Sequence, residues 1–232
     1  MSTAARPLAG TVIAFDLDGT LVDTAPDIAV ALNAVLHEHR LPALPFAQAR
    51  VMVGRGARVL IEQGFAAAGE PLSAAETPPL VERFVEIYRT RIADLSRPFD
   101  GCVEALETLA SAGAILAVCT NKRTALSIAL LDALDLTRHF AAVIGADAAP
   151  APKPDPRHLI TAIDAAGGFP ARALMVGDSA ADVGAARAAG VPSVVVSFGY
   201  TEIPAAELGG DYLIDGFGEL GPLARRLLTA AS

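Results

Sequence analysis

Three carboxylates in this sequence have the spacing of a metal and phosphate site. Asp16 and Asp18 follow the apolar run 12–15, where an extended backbone would aim both side chains in one direction. Two like charges this close repel each other unless a cation or a shared proton relieves them. Asp178, which follows a later apolar run, adds a third carboxylate. An all-oxygen set without histidine or thiolate favours Mg2+, above all when a phosphate supplies further oxygens.

Lys153 and the pair Thr120-Asn121 supply positive charge and hydrogen-bond donors. Lys153 lies between two prolines, whose stiff backbone can hold the ammonium where it balances a nucleophile and phosphoryl oxygens. Thr120 and Asn121 offer a hydroxyl, an amide and backbone N–H groups at a helix start, a natural anion site. This set suits phosphoryl transfer, in which positioning and charge neutralisation do most of the catalysis. A carboxylate nucleophile would divide hydrolysis into two easier steps.

The elements that must bring these residues together are the strands of a parallel sheet. Short apolar runs alternate with helical stretches, at residues 11–15, 115–119, 141–144, 173–176 and 193–196. This alternation predicts an α/β fold with a doubly wound, Rossmann-like parallel sheet and right-handed crossovers. Ligands of such sheets bind beyond the carboxyl ends of the strands. We therefore expect the polar clusters that follow the runs to meet in one crevice.

A second domain is predicted inside the first. From residue 26 to about residue 95 every periodic stretch is helical, with helices expected near Pro26, over 57–68 and over 80–95. We expect a catalytic core made of residues 1–23 and 97–232 and an all-helical cap made of residues 24–96.

One loop of the predicted cap is a candidate for substrate binding. Gly54 and Gly56 should let the backbone turn tightly and push Arg55 outward. A guanidinium there would suit a substrate carboxylate, although an ordinary surface arginine is the alternative.

Composition restricts the class of partner. The net charge is -8 and no stripe of Lys or Arg is present, which argues against nucleic acid or an anionic membrane. No apolar run has the length of a membrane span, and two cysteines are too few for a disulfide framework. We expect a cytoplasmic protein whose partner is a small molecule.

The cysteine and histidine positions suggest no further chemistry. Cys119 lies within an apolar run, where a buried inert thiol is expected. The four histidines share no metal-binding spacing, which favours surface or helix-end positions for His37, His39, His139 and His158.

Four ordered motifs carry a family resemblance that covers the whole chain. Asp16-x-Asp18-Gly19-Thr20, Thr120-Asn121, Lys153-Pro154 and Gly177-Asp178-Ser179-x-x-Asp182 resemble the motifs of the haloacid-dehalogenase superfamily of aspartyl phosphatases. The stretch 15–27, the Gly54-Arg55-Gly56 loop, Thr120-Asn121-Lys122 and the segment 153–156 are similar to phosphoglycolate phosphatases within it.

This resemblance implies a role for each motif position. Asp16 would be the nucleophile, and Asp18 would protonate the leaving alkoxide and then activate water. Thr120 and Lys153 would bind the phosphoryl group. Mg2+ would be held by Asp16, the backbone carbonyl of Asp18 and Asp178, with Asp182 in support, although Asp182 could instead cap a helix. The insert would be the helical cap of the superfamily's first type, whose closure excludes water.

Several activities stay open within this reading. Family members that dehalogenate lack the second aspartate, so Asp18 favours a phosphatase. Phosphoglycolate is the expected substrate, with a sugar-phosphate phosphatase, a β-phosphoglucomutase-like enzyme or a pyrophosphatase as alternatives. A phosphoacceptor module of the response-regulator kind is the alternative from another class. A homodimer is expected if the Ala-rich cap helices pair.

Overall fold

The structure, a computed structural model, describes residues 6–201 and 203–229. Within them the larger sheet contains β1 (Val12–Phe15), β4 (Ile115–Cys119), β5 (Ala142–Ile144), β6 (Ala173–Gly177), β7 (Ser193–Val196) and β8 (Tyr212–Ile214). These strands are all parallel and lie in the order β5-β4-β1-β6-β7-β8. A small antiparallel sheet pairs β2 (Val22–Asp23) with β3 (Arg97–Pro98). The predicted α/β fold with a doubly wound parallel sheet is confirmed.

The α-helices fall into two groups. Between β2 and β3 lie α1 (Ala25–Glu38), α2 (Phe46–Arg50), α3 (Ala57–Ala67) and α4 (Thr77–Arg89). After β3 come α5 (Cys102–Ser111), α6 (Thr124–Ala133), α7 (Pro156–Ala165), α8 (Ala180–Ala189) and α9 (Leu220–Thr229). Nowhere in the part of the chain that the structure describes is a helix long and apolar enough to cross a membrane.

The central strand β1 explains why both faces of the sheet are covered. Its side chains alternate between faces: Ile13 and Phe15 belong to a hydrophobic cluster that includes α5, α6 and α9. Val12 and Ala14 belong to a second cluster, with α7 and α8 on the opposite face. All four side chains are fully buried. The carboxyl end of β1 therefore opens at the middle of the sheet edge.

The helices α1–α4 share a third hydrophobic cluster. Helix α1 begins with Pro26 in its first turn, and its buried stripe includes Ile28, Leu32 and Val35, as the sequence predicts. The chain leaves the larger sheet through β2 and returns through β3, which pairs Val22 with Pro98. The four helices thus stand on a two-stranded base next to the carboxyl edge of the sheet.

Several elements differ from the sequence prediction, among them α4, α2 and β8. Helix α4 ends at Arg89 rather than at residue 95, and the N–H groups of Leu95 and Ser96 donate to Asp27 Oδ2, at 2.9 and 2.8 Å, instead of to helix carbonyls. Helix α2 and strand β8 were not predicted, since five and three residues are too few to show a period.

Candidate active site

The predicted polar residues meet at the carboxyl edge of the sheet. Asp16 extends the ladder by donating its N–H to Val176 O at 2.9 Å, and Asp178 directly follows β6. Asp16 is 3% exposed, Asp178 and Asp182 are 2% exposed, and Lys153 is 4% exposed. A group of charged side chains is therefore buried at this edge, as the parallel topology requires.

Lys153 is the cation of this buried group. Its Nζ lies 2.9 Å from Asp16 Oδ1 and 2.6 Å from Asp182 Oδ1, and it donates to the carbonyl of Cys119 at 2.6 Å. Burial raises the pKa of the Cys119 thiol to about 12, so that side chain is inert, as predicted. The position of Lys153 suits neutralisation of a negatively charged nucleophile and of an anion bound to it.

The carboxylates outnumber this cation. Carboxylate oxygens of Asp16, Asp178 and Asp182 lie within 4.8 Å of one another, against the single ammonium of Lys153. Burial raises the pKa of Asp16 to about 7 in spite of Lys153, and burial with the charges of Asp16 and Asp182 raises the pKa of Asp178 to about 8. A divalent cation would relieve this excess of negative charge. The all-oxygen set therefore fits a hard metal ion.

Asp182 lies close to this cluster, but its oxygens are already engaged. Oδ1 accepts from Lys153, while Oδ2 accepts from the N–H and the hydroxyl of Ser179, at 3.0 and 2.6 Å. Ser179 and Asp182 thus form a capping box at the start of α8. Of the two roles considered from sequence, Asp182 fills the capping role, and its support of a metal stays a prediction.

Asp18 has its own cation. Its carboxylate accepts from Lys122 Nζ, at 2.7 and 3.0 Å, and from the Thr24 hydroxyl at 2.7 Å. Asp16 contacts Lys153 and Asp18 contacts Lys122, so the two carboxylates have different partners, although an extended backbone was expected to aim both in one direction. The reason is local, because the Leu17 carbonyl accepts from the N–H groups of Leu21 and Val22 and so turns the chain directly after Asp16.

The ammonium of Lys122 contributes a second buried positive charge, at a residue to which sequence analysis gave no role of its own. Lys122 is 8% exposed, and its Nζ stands 4.6 Å from the centroid of the Tyr88 ring. Burial alone would lower the pKa of Lys122, but the adjacent Asp18 carboxylate more than offsets this, so the pKa is raised. Lys122 stays charged and faces Asp18 from one side.

Asn121 and His158 hold the backbone of Lys153. The amide of Asn121 accepts from Lys153 N at 2.9 Å and donates to Lys153 O at 3.1 Å. His158 Nδ1 also accepts from Lys153 N, at 3.2 Å, while Nε2 lies 3.2 Å from Ile144 O. Burial lowers the pKa of His158, and a neutral ring that donates from Nε2 satisfies both contacts. Asn121, expected to bind substrate, thus has its side chain on the Lys153 backbone.

His158 corrects one sequence expectation and adds a residue to the site. It lies in the first turn of α7, a helix-end position as expected, but its side chain is completely buried. Its position five residues after Lys153 was the available signal, since a helix that begins at Pro156 returns its first turn toward the preceding loop.

Tyr200 is a second residue that sequence analysis missed. Its N–H donates to Asp178 Oδ2 at 2.7 Å, and the Thr20 hydroxyl donates to Asp178 Oδ1 at 3.1 Å. Its own hydroxyl donates to Asp23, which therefore binds Tyr200 and does not cap α1. The available signal was its place after the apolar run of β7, at the same edge of the sheet.

A cavity of about 340 Å³ lies above Asp18, between the helices α1–α4 and the sheet edge. Its lining is mostly apolar, with Ile28, Met52, Val53, Leu60, Val81 and Phe84 among its residues. Asp18, Tyr88 and Lys122 contribute polar groups to it, and its other polar or charged lining residues are Arg55, Arg58, Asn121, Arg123 and Asp147. The chamber therefore adjoins the second aspartate and has room for a small organic group.

Arg55 lies at the rim. It is exposed and lines both this cavity and a neighbouring one that contains Lys153 and Tyr200. Gly54 and Gly56 have φ values of 98° and 88°, so the loop makes the predicted turn with backbone angles that favour glycine. The predicted outward position of Arg55 agrees with the structure.

Comparison with known proteins decides the family. Residues 13–196 match the family described as haloacid dehalogenase-like hydrolase. The chain belongs to this family. The match to this family covers most of the length of the chain, and the resemblance carried by the four motifs is confirmed.

Relatives of this hydrolase cover nearly its whole length. A phosphoglycolate phosphatase from Caulobacter vibrioides is 58% identical over 99% of this chain and 97% of its own. A phosphoglycolate phosphatase from Agrobacterium fabrum is 46% identical over 94% of this chain and 93% of its own. A crystal structure from Haemophilus somnus, described as a predicted phosphoglycolate phosphatase, has a TM-score of 0.85 and 32% identity, and covers 93% of this chain and 98% of its own.

Proposed function

We propose that this protein hydrolyses 2-phosphoglycolate to glycolate and phosphate, in an Mg2+-dependent reaction that passes through an aspartyl-phosphate on Asp16. The observation that carries the proposal is the buried group in which Asp16 contacts Lys153 beside Asp178. A carboxylate, a fixed cation and a metal-binding cluster are the parts that phosphoryl transfer needs. The names of the relatives support both the enzyme class, a phosphoric monoester hydrolase, and the substrate.

In the first step a carboxylate oxygen of Asp16 attacks phosphorus, and the bond from phosphorus to the ester oxygen breaks. Asp18 gives its proton to the leaving oxygen, which departs as the hydroxyl of glycolate. In the second step Asp18 takes a proton from water, which attacks phosphorus and releases phosphate and the Asp16 carboxylate. Lys153 and Thr120 bind the phosphoryl oxygens throughout.

The metal would be bound by Asp16, the backbone carbonyl of Asp18 and Asp178, with Asp182 in support. When bound, Mg2+ would neutralise charge on the phosphoryl oxygens. The excess of buried carboxylate supports this assignment. The donors of this proposed metal site are all oxygens, which favours Mg2+ over zinc.

Residues 24–96 would act as a cap on a core made of residues 1–23 and 97–232. The separate hydrophobic cluster of α1–α4 and the base formed by β2 and β3 support this division. Closure of the cap would remove water from Asp16 while the phosphoryl group is transferred. Arg55, at the rim, would contact the substrate on entry.

We also propose a cytoplasmic enzyme with a small phosphorylated metabolite as its partner, without nucleic acid or membrane partners. The net charge of -8 supports this choice. The two cysteines are free and buried, which agrees with a reducing compartment. A homodimer formed through the cap helices is part of the proposal.

The test is a phosphate-release screen with the purified protein and Mg2+. Its substrates are 2-phosphoglycolate, sugar phosphates, nucleotides, pyrophosphate and acetyl phosphate. We expect 2-phosphoglycolate to be among the best, with activity lost on chelation and restored by Mg2+. Equal turnover of all substrates would refute the substrate assignment. Uptake of phosphate from acetyl phosphate, without release from any monoester, would indicate a phosphoacceptor module instead.

A further inference from the structure

The hydroxyl of Tyr88 is a buried polar group without a partner. Tyr88 lies at the end of α4 and is 1% exposed, and its oxygen has no hydrogen-bond partner within 3.5 Å among residues 6–201 and 203–229, although the Lys122 ammonium is near enough to affect its pKa. Burial raises its pKa to about 12, so the oxygen keeps its proton and remains a donor. Buried hydroxyls are normally paired, because an unpaired one costs free energy. The unpaired hydroxyl of Tyr88 therefore needs a structural explanation.

The surroundings of this hydroxyl provide one. Tyr88 lines the cavity of about 340 Å³ above Asp18. Lys122 lines the same cavity, with its Nζ against the Tyr88 ring and within 2.7 Å of Asp18 Oδ1. An ammonium has three N–H donors, and the Asp18 carboxylate and the ring face leave it able to donate to an anion in the cavity. A neutral donor and a cation therefore stand side by side in a mostly apolar chamber.

The proposed reaction places the leaving group beside this pair, and the inference rests on that proposal. Asp18 can protonate the leaving oxygen only from hydrogen-bond distance. In an ester of a 2-hydroxy acid the carboxylate lies about 3 Å beyond the ester oxygen, by standard bond lengths. A carboxylate at that distance from an oxygen held by Asp18 lies within reach of the neighbouring Lys122. Arg55 is exposed, whereas Lys122 and Tyr88 are buried.

We propose that Tyr88 and Lys122 bind the carboxylate of the leaving group, and that this contact selects phosphate esters of short hydroxy acids. Lys122 supplies the charge, and the Tyr88 hydroxyl donates a hydrogen bond that the free protein leaves unmade. Against the apolar walls formed by Ile28, Leu60 and Phe84 the additional hydroxyls of a sugar would find no partners, although Arg58, Arg123 and Asp147 line another part of the cavity. Burying those hydroxyls unpaired would weaken the binding of sugar phosphates.

Tyr88→Phe tests this assignment, because it removes one oxygen that has no partner in the free protein. The measured quantity is the ratio of kcat/KM for 2-phosphoglycolate to kcat/KM for ethyl phosphate, an ester of equal carbon number without the carboxylate. We expect this ratio to fall about tenfold or more, as the loss of a hydrogen bond to a charged group requires. Tyr212→Phe, on the edge strand β8, is the matched control and should keep the wild-type ratio. Circular dichroism and the melting temperature verify that each variant is folded.

Glycolate affinity gives a second readout that needs no turnover. Calorimetric titration of glycolate in the presence of Mg2+ should show about tenfold weaker binding to Tyr88→Phe than to wild type, and unchanged binding to Tyr212→Phe. If no ester is hydrolysed but this difference is found, the proposed function fails and the carboxylate site stands. If 2-phosphoglycolate is hydrolysed while both the ratio and the affinity are unchanged in Tyr88→Phe, the carboxylate site is overturned. If the kcat/KM ratio falls in Arg55→Ala but not in Tyr88→Phe, the carboxylate is bound at the rim, and the assignment to Tyr88 and Lys122 is overturned.

Discussion

Tyr200 donates its backbone N–H to Asp178 Oδ2 at 2.7 Å, and its side-chain hydroxyl reaches the segment through which the chain leaves the sheet. That hydroxyl donates to Asp23 and accepts from the N–H of Ala25 at 3.0 Å. Arg50, from α2, lies 4.7 Å from the centroid of the Tyr200 ring and donates to the carbonyl of Gly199 at 3.1 Å. One residue therefore connects a proposed metal ligand, the base of the four-helix group and one of its helices.

We expect Tyr200→Phe to lower the free energy of unfolding by about 1–3 kcal/mol, because it leaves the half-buried Asp23 carboxylate and the N–H of the buried Ala25 without their partner. The backbone N–H that binds Asp178 remains, so the Mg2+ concentration for half-maximal activity should change less than threefold. Urea unfolding and an Mg2+ titration measure the two quantities. Tyr212→Phe is the control, and equal stability of the two variants would contradict the assigned role.

Alanine variants at two glycines with similar backbone angles distinguish the cost of conformational strain from the cost of a steric clash at the site. Gly19 has a φ of 86° and Gly69 a φ of 96°, so alanine costs about 1 kcal/mol at either position. A Cβ at Gly19 would also collide with the Asp178 carboxylate and approach Tyr200 Cδ2 to 2.8 Å, whereas a Cβ at Gly69 meets nothing within 4 Å.

We therefore expect Gly19→Ala to be less stable than Gly69→Ala by at least about 1 kcal/mol, the typical cost of overpacking. Its phosphate release should fall at least tenfold, since Asp178 must move to admit the methyl group. Thermal unfolding and initial rates at saturating Mg2+ test this comparison. Equal behaviour of the two variants would show that strain alone decides the cost.

Asp16→Asn should abolish phosphate release without unfolding the protein. The amide cannot form the acyl phosphate, so we expect a fall of at least about a thousandfold in kcat. Burial raises the pKa of Asp16 to about 7, which means that its charge is unfavourable in the metal-free site. Loss of that charge should leave the metal-free protein at least as stable as wild type, by urea unfolding near pH 8. Asp164→Asn, at an exposed position of α7, is the control. Wild-type rates in Asp16→Asn would refute the nucleophile.

The buried His158 predicts a pH dependence of stability. Burial lowers its pKa below the ordinary 6.5, so the unfolded chain takes up a proton at a higher pH than the folded protein. The stability that neutral His158 contributes is present above pH 6.5 and is lost as the pH falls through the lower pKa of the folded state, at up to about 1.4 kcal/mol per pH unit.

Urea unfolding of the metal-free protein at several pH values from 7.5 to 5.5 measures this loss. His158→Gln should show a shallower dependence than wild type, because its side chain does not titrate. His37→Gln, at an exposed position, should keep the wild-type slope. A wild-type slope in His158→Gln would show that other groups cause the acid sensitivity.

Five strands of the larger sheet and the polar residues that directly follow them were predictable because their signals are local. An apolar run such as residues 115–119, followed by Thr120, predicts both the strand and the residue at its carboxyl end. Once the strands are known to be parallel, the ends must lie at one edge. The positions of Asp16 and Asp178 therefore follow from short segments of sequence and one topological rule, whereas Lys153, which does not directly follow a strand, was expected from its flanking prolines and its motif.

The partners of these residues were not predictable, because they depend on contacts between distant segments. The Tyr200 hydroxyl meets Asp23 across 177 positions, and Lys122 meets Asp18 across 104. The pairing of Asp18 with Lys122, rather than with Lys153, depends on the turn at Leu17 and on the packing of α4 above the site. A periodic pattern identifies the buried face of α4, but not that the ring of Tyr88 on this face meets an ammonium.

The pairing of Val22 with Pro98 has a consequence for the folding of the sheet. Strands β1 and β4 are adjacent in the sheet although the entire four-helix group separates them in the chain. Closing a loop of this length is costly in entropy when the loop is flexible, but the cost grows only as the logarithm of its length. Because β2 and β3 join the two ends, the intervening residues act as a loop that is already closed. Insertions or deletions between those ends would therefore alter the entropy of sheet assembly very little.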